Sequence, residues 1–279
     1  MRILARHKGL FCGGGLLLLI FLGGVFAPSI APHDPTVQDL RMRMTGPSFT
    51  YPLGTDTLGR CLASRILFGV RPSIGLAMAA TCMVTLAGIM VGVLSAVFRR
   101  LDMVLMRITD CFFALPGMVL ALVIISFTGP NPWGILLALS VPGWPKYARV
   151  VRGIARSQLA QPQVEAVRCM GAGPLYVTRT CLLPWIWPQV TTIATLGIGG
   201  KVATIAGLGF LGLGVQPPTP EWGAIMYGGL PVLGIAPHIS LFSGLAIALT
   251  VLAFTLVGEG VHEAINPLIG EDANETMPD

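Results

Sequence analysis

Apolar residues run through this chain in blocks of about 20 positions, each long enough for a helix to cross roughly 30 Å of hydrocarbon. Six blocks stand out, at residues 9–27, 72–98, 101–127, 133–150, 185–215 and 239–261. They are continuously apolar and do not alternate, which predicts membrane helices and not a β-barrel. The fifth block is the longest and is expected to tilt or kink. The first follows Arg2, Arg6 and Lys8, as a signal peptide would. It is longer than the usual signal core, and five further blocks follow, so an uncleaved anchor is the simpler reading.

Composition sharpens this picture. The chain is 53% hydrophobic and 11% charged, whereas soluble domains carry about 25% charged residues. Basic residues set the orientation, because short cytoplasmic loops retain them. Arg2, Arg6, Lys8, Arg99 and Arg100 mark one side, and six crossings put Lys146, Arg149, Arg152, Arg156, Arg168 and Arg179 there too. The loops around Asn131 and over 216–238 carry no Lys or Arg, so both termini are expected in the cytoplasm. Arg41, Arg43, Arg60, Arg65 and Arg71 depart from the rule in a long outer loop, where it is weak. All five Trp residues fall near block ends, as headgroup-seeking rings should. The six Cys residues share no oxidising compartment and no C-x-x-C spacing, which suggests buried hydrophobes or reduced thiols. The expected division is an anchor helix and outer loop with an amphipathic segment (1–71), a five-helix core (72–270) and a cytoplasmic tail (271–279).

Several motifs fail on context. Gly207 to Gly212 reads GLGFLG but lies inside an apolar block, with no strand before it and no acidic residue about 20 positions later. Its glycines are better suited to close helix approach or bending. Lys201 after Gly200 lacks the rest of a P-loop, so no ATP site is expected in this chain. His262-Glu263 lacks a second His at position 266, and the four His residues are scattered, so no metal cage is expected. No Ser, Cys or carboxylate stands in a recognisable nucleophile context, which leaves transport as the default. Charges inside blocks are costly and usually face a cavity or partner. Asp102, Arg107, Asp110 and Lys201 qualify. Arg107 and Asp110, three apart on one helical face, read equally as a structural pair or a gate. Lys201 reads as a pathway or subunit-contact residue, and Thr204 joins it as a pathway candidate.

The longest loop on the basic side, between positions 150 and 185, holds EAVRCMGAGPLYVTRTCLLP from Glu165 to Pro184. Pro162 suits the start of a helix, Glu165 favours its first turn, Gly171 and Gly173 suit its end, and Pro174 opens a second short helix. Such a projection is either a docking knob or a solvated linker. Here the chain resembles the inner-membrane permeases of ABC importers, whose signature is E-A-A, three residues, G, nine residues, then I-x-L-P. Glu165, Ala166, Gly171, Leu183 and Pro184 match it, while Val167 and Cys181 replace an alanine and an isoleucine. By that resemblance, Glu165, Ala166, Gly171, Ala172, Leu183 and Pro184 dock a partner ATPase.

The stretches PLGTDTLGRCLASRILFGVRPS from Pro52, MRITDCFFALPGMVLAL from Met106 and FLGLGVQPPTPEWG from Phe210 resemble the C-type subunit of the peptide and nickel branch. Cys61 departs from the aspartate of that outer motif. Ile205, where many peptide permeases carry an acidic residue, resembles nickel permeases more closely. The resemblance implies an all-α fold of six transmembrane helices with a cytoplasmic coupling helix, in a bacterial inner membrane. It implies a sister permease, two ATPase subunits that hold the ATP and magnesium, and an extracytoplasmic binding protein; no cofactor and no nucleic acid are expected here. Asp56, Arg60 and Arg65 are expected on an amphipathic outer segment that meets the binding protein or simply lies at the membrane surface. The cargo expectation is nickel, a metal chelate, or di- or oligopeptides. The rival reading is an ion-gradient-driven secondary transporter, and a channel or purely structural membrane subunit ranks third.

Overall fold

The structure is a computed structural model that describes residues 8–265. Arg2, Arg6, His7, the Lys8 side chain and the 271–279 tail lie outside the described residues. Helix α1 (Lys8–Val25) and a helical turn (Ala27–Ile30) lead into an irregular stretch to position 61. There follow α2 (Leu62–Val97), α3 (Arg99–Phe113), α4 (Gly117–Thr128), α5 (Pro132–Ser140) and α6 (Trp144–Leu159). The chain continues through α7 (Pro162–Cys169), α8 (Pro174–Val177), α9 (Leu183–Phe210), α10 (Trp222–Gly229) and α11 (His238–Ile265). Among the described residues the only β pairing is an isolated bridge between Thr55 and Cys61.

All six apolar blocks are helical, but two are broken. The block at 101–127 turns by 88° between α3 and α4. The break falls at Ala114-Leu115-Pro116, where Pro116 has no N–H to donate and disfavours helical backbone at the residue before it. The bend places the charges of that block on α3 and leaves α4 with none. The block at 133–150 breaks at Val141-Pro142-Gly143, and α6 then extends to Leu159. By contrast, α2 begins ten residues before the expected start at Pro72. Its first turns bury Leu62, Ser64, Arg65, Gly69 and Val70, so tertiary packing recruits to the helix what reads as outer loop. The Arg71 Nε and Nη2 donate to the carbonyls of Gly24 (3.0 Å) and Val25 (3.1 Å), capping the C-terminal end of α1.

Helix α2 packs along α6, α9 along α11, and α11 along α1. The α2–α6 seam needs Gly88 and Gly92. A Cβ on Gly88 would lie 2.3 Å from the Tyr147 Cβ, and one on Gly92 would lie 2.7 Å from the Val151 Cβ. One large apolar core joins Ile74, Ile125, Ile135, Ile205, Trp222 and Phe254. A smaller one gathers Val93, Val151, Ala155, Leu182, Ile186 and Val190 at the end of α2 nearest α7. Many large apolar side chains, including Leu19, Phe127 and Leu241, stay on the outer surface, as suits a chain solvated by lipid and neighbouring helices. Trp222 is the exception to the headgroup expectation: it is buried, with its Nε1 donating to the Ile66 carbonyl at 3.0 Å. All six Cys are free, and only Cys61 is buried.

Candidate functional site

The 162–184 segment folds as its residues suggest. Pro162 occupies the first position of α7, Glu165 lies in its first turn, and Arg168 in its last. Gly171 then takes φ +89°, while its N–H donates to the Arg168 carbonyl at 2.9 Å and the Ala172 N–H to that of Val167 at 3.3 Å. That left-handed turn closes the helix and is unfavourable for any residue with a Cβ. Pro174 starts α8, and a π-helical turn (Thr178–Leu182) feeds into α9. Val164, Val177 and Leu182 are buried and anchor the segment, whereas Met170, Leu175 and Tyr176 are 79%, 81% and 57% exposed. Glu165, Ala166, Gly171 and Pro184 are also exposed, with Ala172 and Leu183 half-buried. The segment is thus fixed from below, and its exposed side carries Met170, Leu175 and Tyr176 beside the charges of Glu165, Arg168 and Arg179.

Next to it, an ionic network straps α3 to α6. The Asp102 carboxylate accepts from Arg152 Nε (2.5 Å) and Nη2 (2.9 Å), from Arg156 Nη2 (2.5 Å) and from the Ser95 hydroxyl. Asp110 accepts from Arg149 Nη2 at 2.6 Å, and the Arg149 guanidinium lies 4.1 Å from the Phe113 ring centroid. The expected Arg107–Asp110 pair therefore does not form. Arg107 is exposed and makes no ion pair with a described residue. The reason is the α3–α4 bend, which lays α3 beside the arginines of α6. Those arginines were legible only as topology markers, because their carboxylate partners lie about 40 to 50 positions away in sequence. Lys201 sits 5.5 Å from the Tyr147 ring centroid. Thr204 donates to the Gly200 carbonyl of its own helix at 2.9 Å. Asp110, Lys201 and Thr204 thus hold separate partners, and the four pathway candidates form no single cluster.

At the opposite end of α2, near α10, a second set of charges is buried. Asp56, Arg60 and Arg65 are only 4%, 8% and 2% exposed, so they do not form an exposed amphipathic surface. Asp56 ties the loop together: its Oδ1 accepts the N–H groups of Leu58 (2.8 Å) and Arg60 (3.0 Å), and its Oδ2 accepts Arg60 Nε at 2.7 Å. His238 Nε2 lies 3.1 Å from the Thr55 carbonyl oxygen, pinning this loop to α11. Asp56, Arg60 and Arg65 border a cavity of about 200 Å³ that also touches Gly212, Gln216 and Tyr227. Behind it, the fully buried Glu221 caps α10 by accepting the N–H groups of Gly223 (2.8 Å) and Ala224 (2.9 Å), and Ser73 donates to it at 3.2 Å. Burial pushes the Glu221 carboxyl up, against the pull of those donors. Gly209 packs against Gly223, where a Cβ would meet backbone at 2.8 Å; this is the close approach that GLGFLG provides. Sequence reasoning missed Glu221, because the side chains that signal an N-cap are Ser, Thr, Asp and Asn, and Glu is not among them.

The model of the binding-protein-dependent transport system inner membrane component matches residues 85–271. That of the N-terminal TM domain of oligopeptide transport permease C matches residues 1–47. The chain belongs to the inner-membrane permeases of ABC importers. The di/tripeptide transport system permease protein DppC of Pseudomonas aeruginosa is 36% identical to it over 94% of this chain and 89% of that protein. The glutathione transport system permease protein GsiD of Pectobacterium atrosepticum is 35% identical, over 95% and 89%. Among solved structures, the inward-facing MetNI methionine ABC transporter matches with a TM-score of 0.59 and 24% identity, over 72% of this chain and 95% of that one. The permease is therefore a non-catalytic, multi-pass transport subunit of the inner membrane with the type I importer fold. Such a permease works with an ATPase, a substrate-binding protein and a sister permease.

Proposed function

We propose that the permease forms one half of the path by which a small peptide or peptide-like solute enters the cell, and that its 162–184 segment receives the stroke of the ATPase. One observation carries the second part: Met170, Leu175 and Tyr176 stand exposed on a segment whose Val164, Val177 and Leu182 are locked into the helices. A firmly mounted projection with exposed large apolar side chains is what a partner groove needs. In this reading Glu165, Ala166, Gly171, Ala172, Leu183 and Pro184 shape the docking surface, and two ATPase subunits hold the ATP and magnesium. Both termini and this segment face the cytoplasm, while the charged cavity by α10 faces outward. Residues 1–71, 72–270 and 271–279 serve as anchor with outer loop, translocation core and tail.

Force on the segment passes through Leu182 and Ile186 to Val93 and Val151, hence to α9, α2 and α6. Rocking of these helices between discrete packings gives alternating access. The names of the relatives, a di/tripeptide permease and a glutathione permease, favour a peptide cargo over nickel or a metal chelate. Arg107, Asp110, Lys201 and Thr204 remain pathway candidates, with Lys201 foremost because its cation is held by an aromatic face and not by a carboxylate.

Gly171→Leu tests the docking role. Nothing lies within 4 Å of the added Cβ, so the internal cost comes from its φ of +89° alone. The importer reconstituted in liposomes should lose ATP-driven uptake, or hydrolyse ATP without uptake, while membrane insertion stays normal. Unchanged uptake would remove the docking assignment.

A further inference from the structure

Helix α1 touches two neighbours at different depths. Its N-terminal half packs on α11: a Cβ on Gly13 would lie 2.7 Å from the Leu256 Cβ, and one on Gly260 would lie 2.6 Å from the Leu10 Cβ. Its C-terminal end packs on α2, where a Cβ on Gly24 would lie 2.7 Å from the Val70 Cβ. Between those contacts the three helices part. They leave a groove of about 540 Å³, walled by Leu16, Ile20 and Gly23 of α1, Ile66 and Val70 of α2, and Leu249 of α11.

The groove offers nothing to water. Its two polar side chains are satisfied from within: the Thr250 hydroxyl donates to the Ala246 carbonyl at 2.8 Å, and the Trp222 Nε1 to the Ile66 carbonyl at 3.0 Å. A space lined in this way stays dry and takes an apolar guest. Leu19, Leu22 and Phe26 line it and stay exposed, so it opens on the outer surface of the helices. The α1 wall from Leu16 to Phe26 is roughly 15 Å long, about half of the 30 Å hydrocarbon core and so the depth of one leaflet. Arg71 stands at the end of that wall. Its Nε and Nη2 donate to the Gly24 and Val25 carbonyls, and its Cζ lies 5.9 Å from the Phe68 ring centroid. A guanidinium has five N–H groups, so three are left without a described acceptor. Arg71 is exposed and makes no ion pair with a described residue.

We propose that this groove is a phospholipid site: one acyl chain lies between α1, α2 and α11, and Arg71 holds the lipid phosphate at the rim. Gly24 and Val25, which Arg71 caps, sit between the groove-lining Gly23 and Phe26, so cation and groove adjoin. A cation with spare donors beside a dry groove of leaflet depth matches a phospholipid in both charge and polarity, since phosphate is a strong acceptor for guanidinium. The lipid fills the wedge and ties α1 to the core where side chains do not reach. Neither the cargo nor the ATPase contact enters into this site.

The test uses the assembled importer in detergent, with phosphatidylglycerol and diacylglycerol that carry the same photoreactive acyl chain, and reads labelling of residues 16–26 and 246–250. The parent should take up label at a concentration of phosphatidylglycerol about tenfold below that of diacylglycerol, the scale of one charge-assisted contact. Arg71→Gln should erase this preference and leave labelling by diacylglycerol as it was, a result that loss of the α1 cap alone does not produce. Ala246 lines the groove, and Ala246→Phe should fill it and abolish labelling by both lipids. If neither variant assembles, the two lipids compared on the parent decide. Equal labelling of the parent by both, label confined to other segments, or undiminished labelling in the variants would overturn the site. So would a crosslink from Leu19 to the sister permease in place of lipid, which would give the groove to a protein contact.

Discussion

Two charged clusters sit at opposite ends of α2, built from the same residue types but held in different ways. Near α10, Asp56, Arg60 and Arg65 are nearly sealed from solvent, and two guanidiniums share one carboxylate. Near α7, Asp102 is shared by Arg152 and Arg156, whose side chains are 26% and 46% exposed. Asp110 and Arg149 are more open still, at 57% and 49%. Burial decides what each carboxylate is worth. In the sealed cluster it neutralises charge that water cannot reach, whereas in the open one water takes over when a partner is lost.

Asp56→Asn should therefore give the largest effect. It leaves Arg60 and Arg65 buried without a counter-charge, at a cost of about 3–5 kcal/mol, read as a large fall in the thermal midpoint in detergent. A midpoint within error of the parent would show that water reaches the cluster and would erase the contrast. Asp102→Ala should cost about 1–3 kcal/mol, toward the lower figure because its arginines are partly hydrated. Hydrogen exchange should rise in α3, which loses its strap to α6. An effect on exchange equal to that of Asp56→Asn near α10 would mean that the two ends are equally sealed. Asp110→Ala should change stability by about 0–1 kcal/mol, a difference that salt erases. A loss as large as that of Asp102→Ala would show that Arg149 is held more rigidly than its exposure implies.

The two ends also differ in surface. The α7 end has an exposed apolar surface on buried anchors, suited to contact with a protein. The α10 end has a small cavity bordered by buried charges. Helix α2, with 36 residues and a length of roughly 54 Å, runs between them.

Some of this was written in the local order of residues. Six apolar blocks specify helices, because a backbone in lipid must satisfy its own hydrogen bonds. Pro162, Gly171 and Pro174 specify the helix, turn and helix of the α7 end, since proline and glycine act on backbone angles with no distant partner. The 20-residue signature at that end was legible in a different way, as a resemblance to a family motif.

Contacts between distant positions were not legible. Sequence spacing pairs Arg107 with Asp110, but the bend at Pro116 brings Asp110 to Arg149 and Asp102 to Arg152 and Arg156. Charge pattern places Asp56, Arg60 and Arg65 on a surface, but packing against α10 and α11 buries them and opens a cavity beside Arg65. Hydropathy and turn residues act within a few positions of themselves and so fix helices and breaks. Which charge meets which, and whether water can reach it, depends on how those helices stack, and only the folded molecule decides that.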